Sequence, residues 1–156
     1  MSSAVPPQTE QGYAPPIVRQ FSVFLDNRVG KLHELLRLFE ENPQIHLAGF
    51  SVHDASDYAV VRLIFSNADL ARNLLRKAGY HFSENDLIVV ELGPDQSLKT
   101  LCVHLLAAEL NIRFAYPVML QREGRPTVAI AVDDHTLAGQ ILIRKRYNLL
   151  GEEDLA

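Results

Sequence analysis

Histidines and acidic residues are the side chains most able to do chemistry in this chain, and their spacing argues against catalysis. The six histidines are scattered, at positions 33, 46, 53, 81, 104 and 135, whereas a zinc site needs ligands at characteristic short spacings. His33 and Glu34 begin like the helix motif of zinc proteases, but Arg37 stands where the second histidine would be. We therefore predict no catalytic residue, no metal ligand and no cofactor.

Other reactive residue types also have simple structural explanations. The acidic pairs 133–134 and 152–153 lie at a predicted helix start and in the C-terminal tail, where they complement the helix dipole and aid solubility. Cys102 falls on the apolar face of a predicted helix, without a neighbour that would stabilise a thiolate, so we expect it to be buried as a small hydrophobe. No glycine spacing matches a phosphate-binding loop, and no Gly-x-Ser-x-Gly occurs.

Composition limits the partners and the compartment. The chain has 156 residues, 47% of them hydrophobic, and a formal net charge of -4, which argues against binding nucleic acid or an anionic membrane. A single cysteine rules out an intrachain disulfide and indicates a reducing, cytoplasmic setting. Residues 1–16 carry Pro, Gln, Ser and Thr without the pattern of a secretory signal, so we predict a disordered tail.

The chain repeats one pattern. Residues 76–87 are echoed by residues 144–155, with Arg, Lys, Glu, Asp and Leu in register at a constant offset. Each copy closes a block of about 70 residues, so two copies of one small module account for nearly the whole chain. We assign residues 17–85 to module 1 and residues 86–156 to module 2.

Module 1 has the element order β-α-β-β-α-β. A strand over 18–25 leads through a polar loop, whose Asp and Asn can cap a helix, into a helix that ends before Pro43. Two extended runs, 45–54 and 58–65, flank a turn suited to a hairpin, and a second helix ends at Gly79. A short final strand follows.

Two local features of module 1 are also predicted. The apolar residues of the second strand move from odd to even positions across Ala48 and Gly49, which indicates a β-bulge. Ser66 and Asp69 have the spacing of a capping box at the start of the second helix.

Module 2 repeats the order with strands at 87–92, 112–120 and 126–132, helices at 97–109 and 134–145, and a strand stub near Leu149. The expected fold is therefore α+β: two tandem ferredoxin-like βαββαβ modules, with antiparallel sheets and helices on one face. The opposite face then needs a neighbour, either the other module or a second chain.

The segment Phe21 to Leu32 resembles the opening of an ACT domain, a small module that senses ligands. The resemblance covers about residues 17–156 as two tandem copies. It implies binding of a free amino acid at an interface between modules, with the first loop and helix start holding the ligand's polar ends. Related modules also face the ligand with the second strand, so the predicted ligand-binding residues are Asp26, Asn27, Arg28, Val29, Gly30, Lys31, Leu32, Gly49 and Phe50.

The physical chemistry of the first loop suits that role. Backbone N–H groups and the positive end of the helix dipole at residues 27–31 offer a site for a carboxylate. Gly30 lacks a Cβ and lets a ligand approach the backbone, and Asp26 could meet an ammonium group. Two departures exist: Val29 stands where the family usually has Pro, and in module 2 Gln96 aligns with the glycine. We therefore expect one competent and one degenerate site.

The leading hypothesis is a non-enzymatic regulatory protein, because the two modules leave no room for a separate catalytic domain. It is expected to form a homodimer, to bind an amino acid and to signal to an amino-acid biosynthetic enzyme or through its oligomeric state. A more specific alternative resembles the regulatory small subunit of acetolactate synthase, which senses branched-chain amino acids. A further alternative is a purely structural dimerisation module. An enzyme lacks a convergent set of catalytic groups here, and an RNA-binding module would need basic residues with exposed aromatics on the central strands.

Overall fold

A computed structural model describes residues 8–9, 12–120 and 124–156, with the side chains of residues 8, 9, 12 and 13 left aside. The strands are β1 (Gln8–Thr9), β2 (Gly12–Tyr13), β3 (Val18–Asp26), β4 (Leu47–Asp54), β5 (Tyr58–Phe65), β6 (His81–Glu91), β7 (Ile112–Pro117), β8 (Thr127–Val132) and β9 (Asn148–Leu150). The helices are α1 (Lys31–Glu40), α2 (Ala68–Lys77), α3 (Leu98–Ala107) and α4 (His135–Arg144), and a 3₁₀ turn follows at Glu152–Leu155.

The two modules share one strand. The order of the large antiparallel sheet is β4-β5-β3-β6-β8-β7, and β9 also pairs with β6. Residues 81–87 of β6 pair with β3, and residues 88–91 pair with β8 and β9. Each module thus has its own ferredoxin-like strand order, as predicted, but β6 runs without a break across the predicted boundary between residues 85 and 86.

Helices cover one face of the sheet in each module, which confirms the predicted layers. In module 1 the buried stripe of α1 and α2 packs on β3 and β5. In module 2 the stripe of α3 and α4 packs on β6 and β8. The fully buried helix residues include Leu35 and Leu75 in module 1 and Leu101 and Leu142 in module 2.

The sheet faces opposite the helices pack against each other, module 1 on module 2. The sequence predicted that this face is covered by either the other module or a second chain, and the other module covers it here. A third buried cluster joins Ala48 and Ile64 of module 1 to Tyr116 and Ala129 of module 2. The sheet curls so that its two outer strands meet: Gly49 bridges to Val118, and the Met119 amide donates to the Ala48 carbonyl at 2.8 Å. The curl closes the edges of β4 and β7 at one point.

A buried hydrogen bond also links the modules. The Tyr116 hydroxyl donates to Gln20 Oε1 at 2.6 Å, and the Gln20 amide donates to Ser22 Oγ at 3.1 Å. Burial raises the pKa of Tyr116 above its ordinary value, so the hydroxyl stays protonated and keeps its role as donor.

One local prediction is confirmed and two are wrong. The register of β4 shifts between Leu47 and Gly49, which is the expected bulge. The cap of α2 is Asn67, whose side chain accepts from the Leu70 amide, because Ser66 is held by hydrogen bonds with His46 in both directions. Cys102 is exposed, since the buried stripe of α3 runs through Leu101 and Leu105 and the next residue is turned about 100° away.

The N-terminal tail is described only in part. Residues 8–9 and 12–13 pair as two short antiparallel strands, and Pro15 is buried against Gly139 of α4. Residues 1–7, 10 and 11, on which most of the predicted disorder falls, lie outside the described residues.

Candidate functional site

The loop between β3 and α1 is a surface loop braced by its own polar groups. The Arg28 amide donates to the Asp26 carbonyl at 2.8 Å, and Arg28 Nη2 lies 3.2 Å from Asp26 Oδ2. Both side chains are about 70% exposed in this pair, at 67% and 73%. An ion pair this exposed is weak, so Asp26 stays accessible to a competing cation.

Asn27 holds the loop in place. Its amide donates to Asp54 Oδ1 at 3.0 Å and to the Ser56 carbonyl at 3.2 Å. Asn27 therefore does not cap α1, although its position in the sequence allowed it. Instead it fastens the loop to the turn between β4 and β5.

Gly30 is the N-cap of α1 and has a backbone conformation that favours glycine. Its φ is 88°, in the left-handed region, and a Cβ there would meet nothing within 4 Å, so the backbone angle and not crowding requires the glycine. Among the described residues no side chain caps this helix. The amides of Leu32 and His33 come before the first intrahelical bond, from the Glu34 amide to the Gly30 carbonyl, so they have no acceptor within the helix.

The structure keeps Asp26 to Leu32 together but places Gly49 and Phe50 elsewhere. Both lie on β4, and Gly49 is five residues before Asp54, the residue that contacts the loop. At the rise of a β-strand this separation is roughly 16 Å. Gly49 packs so closely on Ile64 that a Cβ would lie 2.9 Å from Ile64 Cδ1, and Phe50 packs against the helix-side core.

The matching loop of module 2 is filled by its own side chain. Gln96 Oε1 accepts from the Gly93 amide at 2.8 Å, and its amide nitrogen donates to the Arg146 carbonyl at 3.2 Å. Ser97 then caps α3 by accepting from the Thr100 amide at 3.1 Å. By position from the N-cap, Thr100 corresponds to His33, so one of the two amides that lack an intrahelical acceptor at the start of α1 has a side-chain acceptor in α3.

Sequence reasoning missed a cavity in module 2. It has a volume of about 530 Å³ and lies between the start of α3 and the β7–β8 connection, with Leu98, Tyr116 and Val128 in its wall. Arg125 lines it as well and forms an ion pair with the buried Glu91, with Nη1 and Oε1 3.2 Å apart. The sequence carries no local signal for this cavity, because its lining joins Leu92 and Leu98 to residues of β7 and β8, which only the fold brings together.

Over residues 8–9, 12–120 and 124–156, no three His, Cys, Asp or Glu side chains come together as a metal site would need. Within the same ranges, every helix is too short or too polar to cross a membrane.

Two ferredoxin-like modules that share a strand, each opening with a loop that leads into a helix, define a tandem α+β protein. The family described as an ACT domain pair matches residues 16–156. The chain belongs to this family, as the resemblance of the first loop predicted.

Solved structures share the fold. Protein BT0572 from Bacteroides thetaiotaomicron is 22% identical, with a TM-score of 0.80 over 90% of this chain and 96% of that one. The ligand-free regulatory subunit of aspartate kinase from Thermus thermophilus is 11% identical, with a TM-score of 0.56 over 83% and 91%. The corresponding subunit from Thermus flavus is 12% identical, with a TM-score of 0.51 over 92% and 98%. A search of curated proteins found no match.

Proposed function

We propose that this chain is a non-catalytic regulatory protein that binds a free amino acid at the β3–α1 loop and transmits the binding to a partner enzyme or to its own oligomeric state. The observation that carries the proposal is the uncapped start of α1 beside Gly30, on a chain of the ACT domain pair family. A carboxylate there accepts hydrogen bonds from the Leu32 and His33 amides and meets the positive end of the helix dipole.

The other residues of the loop complete a zwitterion site. Asp26 is the partner for the ligand's ammonium group, in exchange for its exposed contact with Arg28. Lys31 is half-buried at the helix start, and its Nζ lies 3.5 Å from Glu34 Oε2. It adds positive charge beside the position proposed for the ligand's carboxylate. Val29 is fully exposed and offers an apolar contact for the ligand's side chain.

Gly49 and Phe50 can contact the ligand in this proposal only if a second chain brings them to the loop. Gly49 and Phe50 lie roughly 16 Å and 13 Å along β4 from Asp54, more than the length of a free amino acid, so they are too distant to contact a ligand held by the loop of the same chain. A homodimer that brings the loop of one copy to β4 of the other would satisfy the prediction. The regulated enzyme, and a role as the acetolactate synthase small subunit, stay predictions.

A purely structural dimerisation module is the second candidate, and one surface favours it. The outer sides of α3 and α4 expose large apolar side chains where a solvated helix would carry charges. These are Leu98, Val103, Leu106, Leu137 and Ile143, with exposures of 36% to 72%.

A thermal-shift screen with the twenty common amino acids separates the two candidates. A ligand at 100 times its dissociation constant stabilises the folded chain by about 2.7 kcal/mol, which raises the melting temperature by several degrees. Gly30→Ala should abolish the shift, because Ala resists the left-handed φ. Gly79→Ala is the matched control, since Gly79 has φ 80° and also has an open Cβ position, at the far end of α2.

The results distinguish the candidates directly. Loss of the shift in Gly30→Ala with its retention in Gly79→Ala supports the sensor. Flat melting curves for all amino acids would favour the dimerisation module, and equal loss in both variants would contradict a site at the loop.

A further inference from the structure

We propose that Arg62, with the hydroxyl groups of Ser22 and Ser51, forms a binding site for the carboxylate of a small aromatic acid that carries no ammonium group. The site lies on the sheet face of module 1 opposite its helices, at the contact with module 2. This inference goes beyond the amino-acid site at the β3–α1 loop and does not depend on it, because it uses none of residues 26–32.

The Arg62 guanidinium is half-buried without a carboxylate beside it. Its Cζ lies 4.0 Å from the ring centre of Phe114 of module 2, and this contact holds the guanidinium over the ring. Among the described residues, the Arg62 side chain has neither an ion pair nor a hydrogen bond. A guanidinium has five N–H donors in a planar fork, so Arg62 can bind both oxygens of a carboxylate.

A chain of buried hydrogen bonds supplies a second donor next to Arg62. The Tyr116 hydroxyl donates to Gln20, and the Gln20 amide nitrogen donates to Ser22 Oγ at 3.1 Å. Because the Ser22 oxygen accepts this bond, its own O–H is left to donate, and no described residue accepts from it. Ser22 is 7% exposed, so an acceptor oxygen at this donor would relieve the cost of leaving it unpaired.

The strand register places the three donors in one row. Arg62 of β5 pairs with Ser22 of β3 on one side and with Ser51 of β4 on the other. Side chains of paired residues lie on the same face of the sheet, with Cβ atoms about 5 Å apart. The hydroxyl of the half-buried Ser51 has no hydrogen-bond partner among the described residues either. All three groups are therefore within reach of one carboxylate.

An exposed aromatic pair lies beside this row. Phe24 is two residues beyond Ser22 on the same face of β3, at a distance of roughly 7 Å. Its ring packs edge-on against Tyr58, with ring centroids 6.2 Å apart, and the two residues are 42% and 45% exposed. An aromatic ring placed on Phe24 would remove part of this surface from water. The spacing suits an acid in which a short linker joins ring and carboxylate.

The charges on this face favour a monocarboxylate over a zwitterion. Of the residues that β3, β4, β5 and positions 81–87 of β6 place on this face, only Asp26 is acidic. It lies four residues from Ser22, a distance of roughly 13 Å. A ligand held at Arg62 thus finds no partner for an ammonium group next to its carboxylate. One guanidinium balances one negative charge, which disfavours dianions.

The site is built from paired strands alone. From Val118, which bridges to Gly49, the chain continues to Met119, whose amide donates to the Ala48 carbonyl. It therefore leaves β7 in the direction away from Ser51. The site uses no residue of the connection between β7 and β8.

NMR titration of the full, isotope-labelled chain with 3-phenylpropanoate tests the proposal. We expect the signals of the Arg62 Nε–H and of the Ser22 and Phe24 amides to shift with ligand concentration. L-phenylalanine, which adds an ammonium group, and 3-phenylpropanamide, which lacks the charge, should bind there about tenfold more weakly. No shift of these signals at millimolar concentration, or equal affinity for either analogue, would overturn the proposal.

Variants locate the carboxylate. Arg62→Gln should weaken binding of 3-phenylpropanoate about tenfold. Arg113→Gln is the matched control, because the Arg113 guanidinium already donates to the Val132 carbonyl, and it should not change the affinity. Since Arg62→Gln also removes the contact with Phe114, Ser51→Asp is the second variant. It keeps the arginine but places a carboxylate beside it, which should compete with the ligand and weaken binding by a similar factor. Unchanged affinity in either variant would contradict the site.

The same titration separates this site from the β3–α1 loop. Gly30→Ala should leave binding of 3-phenylpropanoate unchanged, and Arg62→Gln should leave the amino-acid thermal shift unchanged. Loss of 3-phenylpropanoate binding in Gly30→Ala, together with its retention in Arg62→Gln, would assign the signal to the loop and rule out the site at Arg62.

Discussion

The two modules have the same element order but handle the start of their first helix in opposite ways. In module 1, Gly30 leaves the amides of α1 exposed, and Asn27 is turned away to the β4–β5 hairpin. In module 2, Gln96 folds back on its own loop and Ser97 caps α3. The two modules thus share a scaffold, but the first loop leaves its helix start uncapped and the second forms a closed turn.

The outer helix surfaces differ as well. In module 1 they carry ion pairs, such as Arg37 with Glu41 at 2.9 Å and Arg72 with Asp69 at 2.8 Å. In module 2 they expose apolar residues such as Val103 and Leu106. The charged surface of module 1 suits contact with solvent, whereas the exposed apolar surface of module 2 suits contact with another protein.

The largest expected effect tests whether the modules are separate at all. Leu35→Ala in α1 and Leu101→Ala in α3 remove matching side chains that are 0% and 1% exposed, so each should cost about 3 kcal/mol. Because β6 belongs to both modules, we expect each variant to unfold in urea in one cooperative transition. Circular dichroism measures this transition. Leu106→Ala, at a position 72% exposed, is the control and should cost about 0.5 kcal/mol or less.

Hydrogen exchange of the backbone amides shows which module loses structure in each variant. Protection should fall in both modules of each variant. A second transition, with protection lost only in the mutated module, would show that the shared strand does not couple them.

Much of the fold could be predicted from the sequence because local patterns specify it. The helical stripe ending in Phe39 and the parity switch at Gly49 identify α1 and the bulge of β4 without tertiary information. The joined strand β6 could not be predicted, since residues 83–86 are polar and read as a break between two strands. Residues 83–86 are exposed or only half-buried on both faces where they pair with β3, so the sheet tolerates their polarity.

The sites show the same division. The loop between β3 and α1 could be selected as a candidate from the sequence, because its glycine and polar residues lie within six positions of each other. The cavity of module 2 brings Leu98 at the start of α3 close to Val128 of β8, 30 residues further along the chain. Nothing local relates these two residues, so only the fold brings them together.

The contact between the modules gives the next effect in size. Gln20→Ala should cost about 2 kcal/mol, because the Tyr116 hydroxyl then stays buried without its acceptor. Tyr116→Phe should cost less, and the double variant should show a coupling energy when measured by urea unfolding. Tyr58→Phe, at a position 45% exposed, is the matched control. Additive effects would mean that this hydrogen bond does not hold the two faces together.

An ion pair specific to module 1 makes stability depend on pH. Glu84 accepts from Arg72 at 2.6 and 2.9 Å, and the Arg72 hydrogen bonds lower the pKa of Glu84 below its ordinary value. A lowered folded pKa contributes stability that is present above the unfolded value, about 4.3, and is lost as pH falls through the folded value. Glu84→Gln should therefore cost about 1.5 kcal/mol near pH 7 and much less near pH 3.

Urea unfolding of both proteins at the two pH values measures this difference. Glu41→Gln is the control, since its pair with Arg37 has exposures of 66% and 69% and should contribute under about 0.5 kcal/mol. A Glu84→Gln penalty of the same size at both pH values would contradict the assignment. In module 2 the repeat aligns Glu152 with Glu84, yet Glu152 accepts from the Ala68 amide, so this pH dependence belongs to module 1.

The smallest effect tests the difference between the two loops most directly. Ser97→Ala removes the cap of α3 and should cost about 1 kcal/mol of unfolding free energy, because the Thr100 amide loses its acceptor. Asp134→Ala, which removes the cap that α4 forms with the Leu137 amide, is the matched control with the same expected cost. Neither variant should change the amino-acid thermal shift, since the proposed site lies at the one helix start without a side-chain cap among the four described. A thermal shift lost in Ser97→Ala and kept in Asp134→Ala would move the sensor site to module 2, and the closed turn held by Gln96 would then have to open for the ligand.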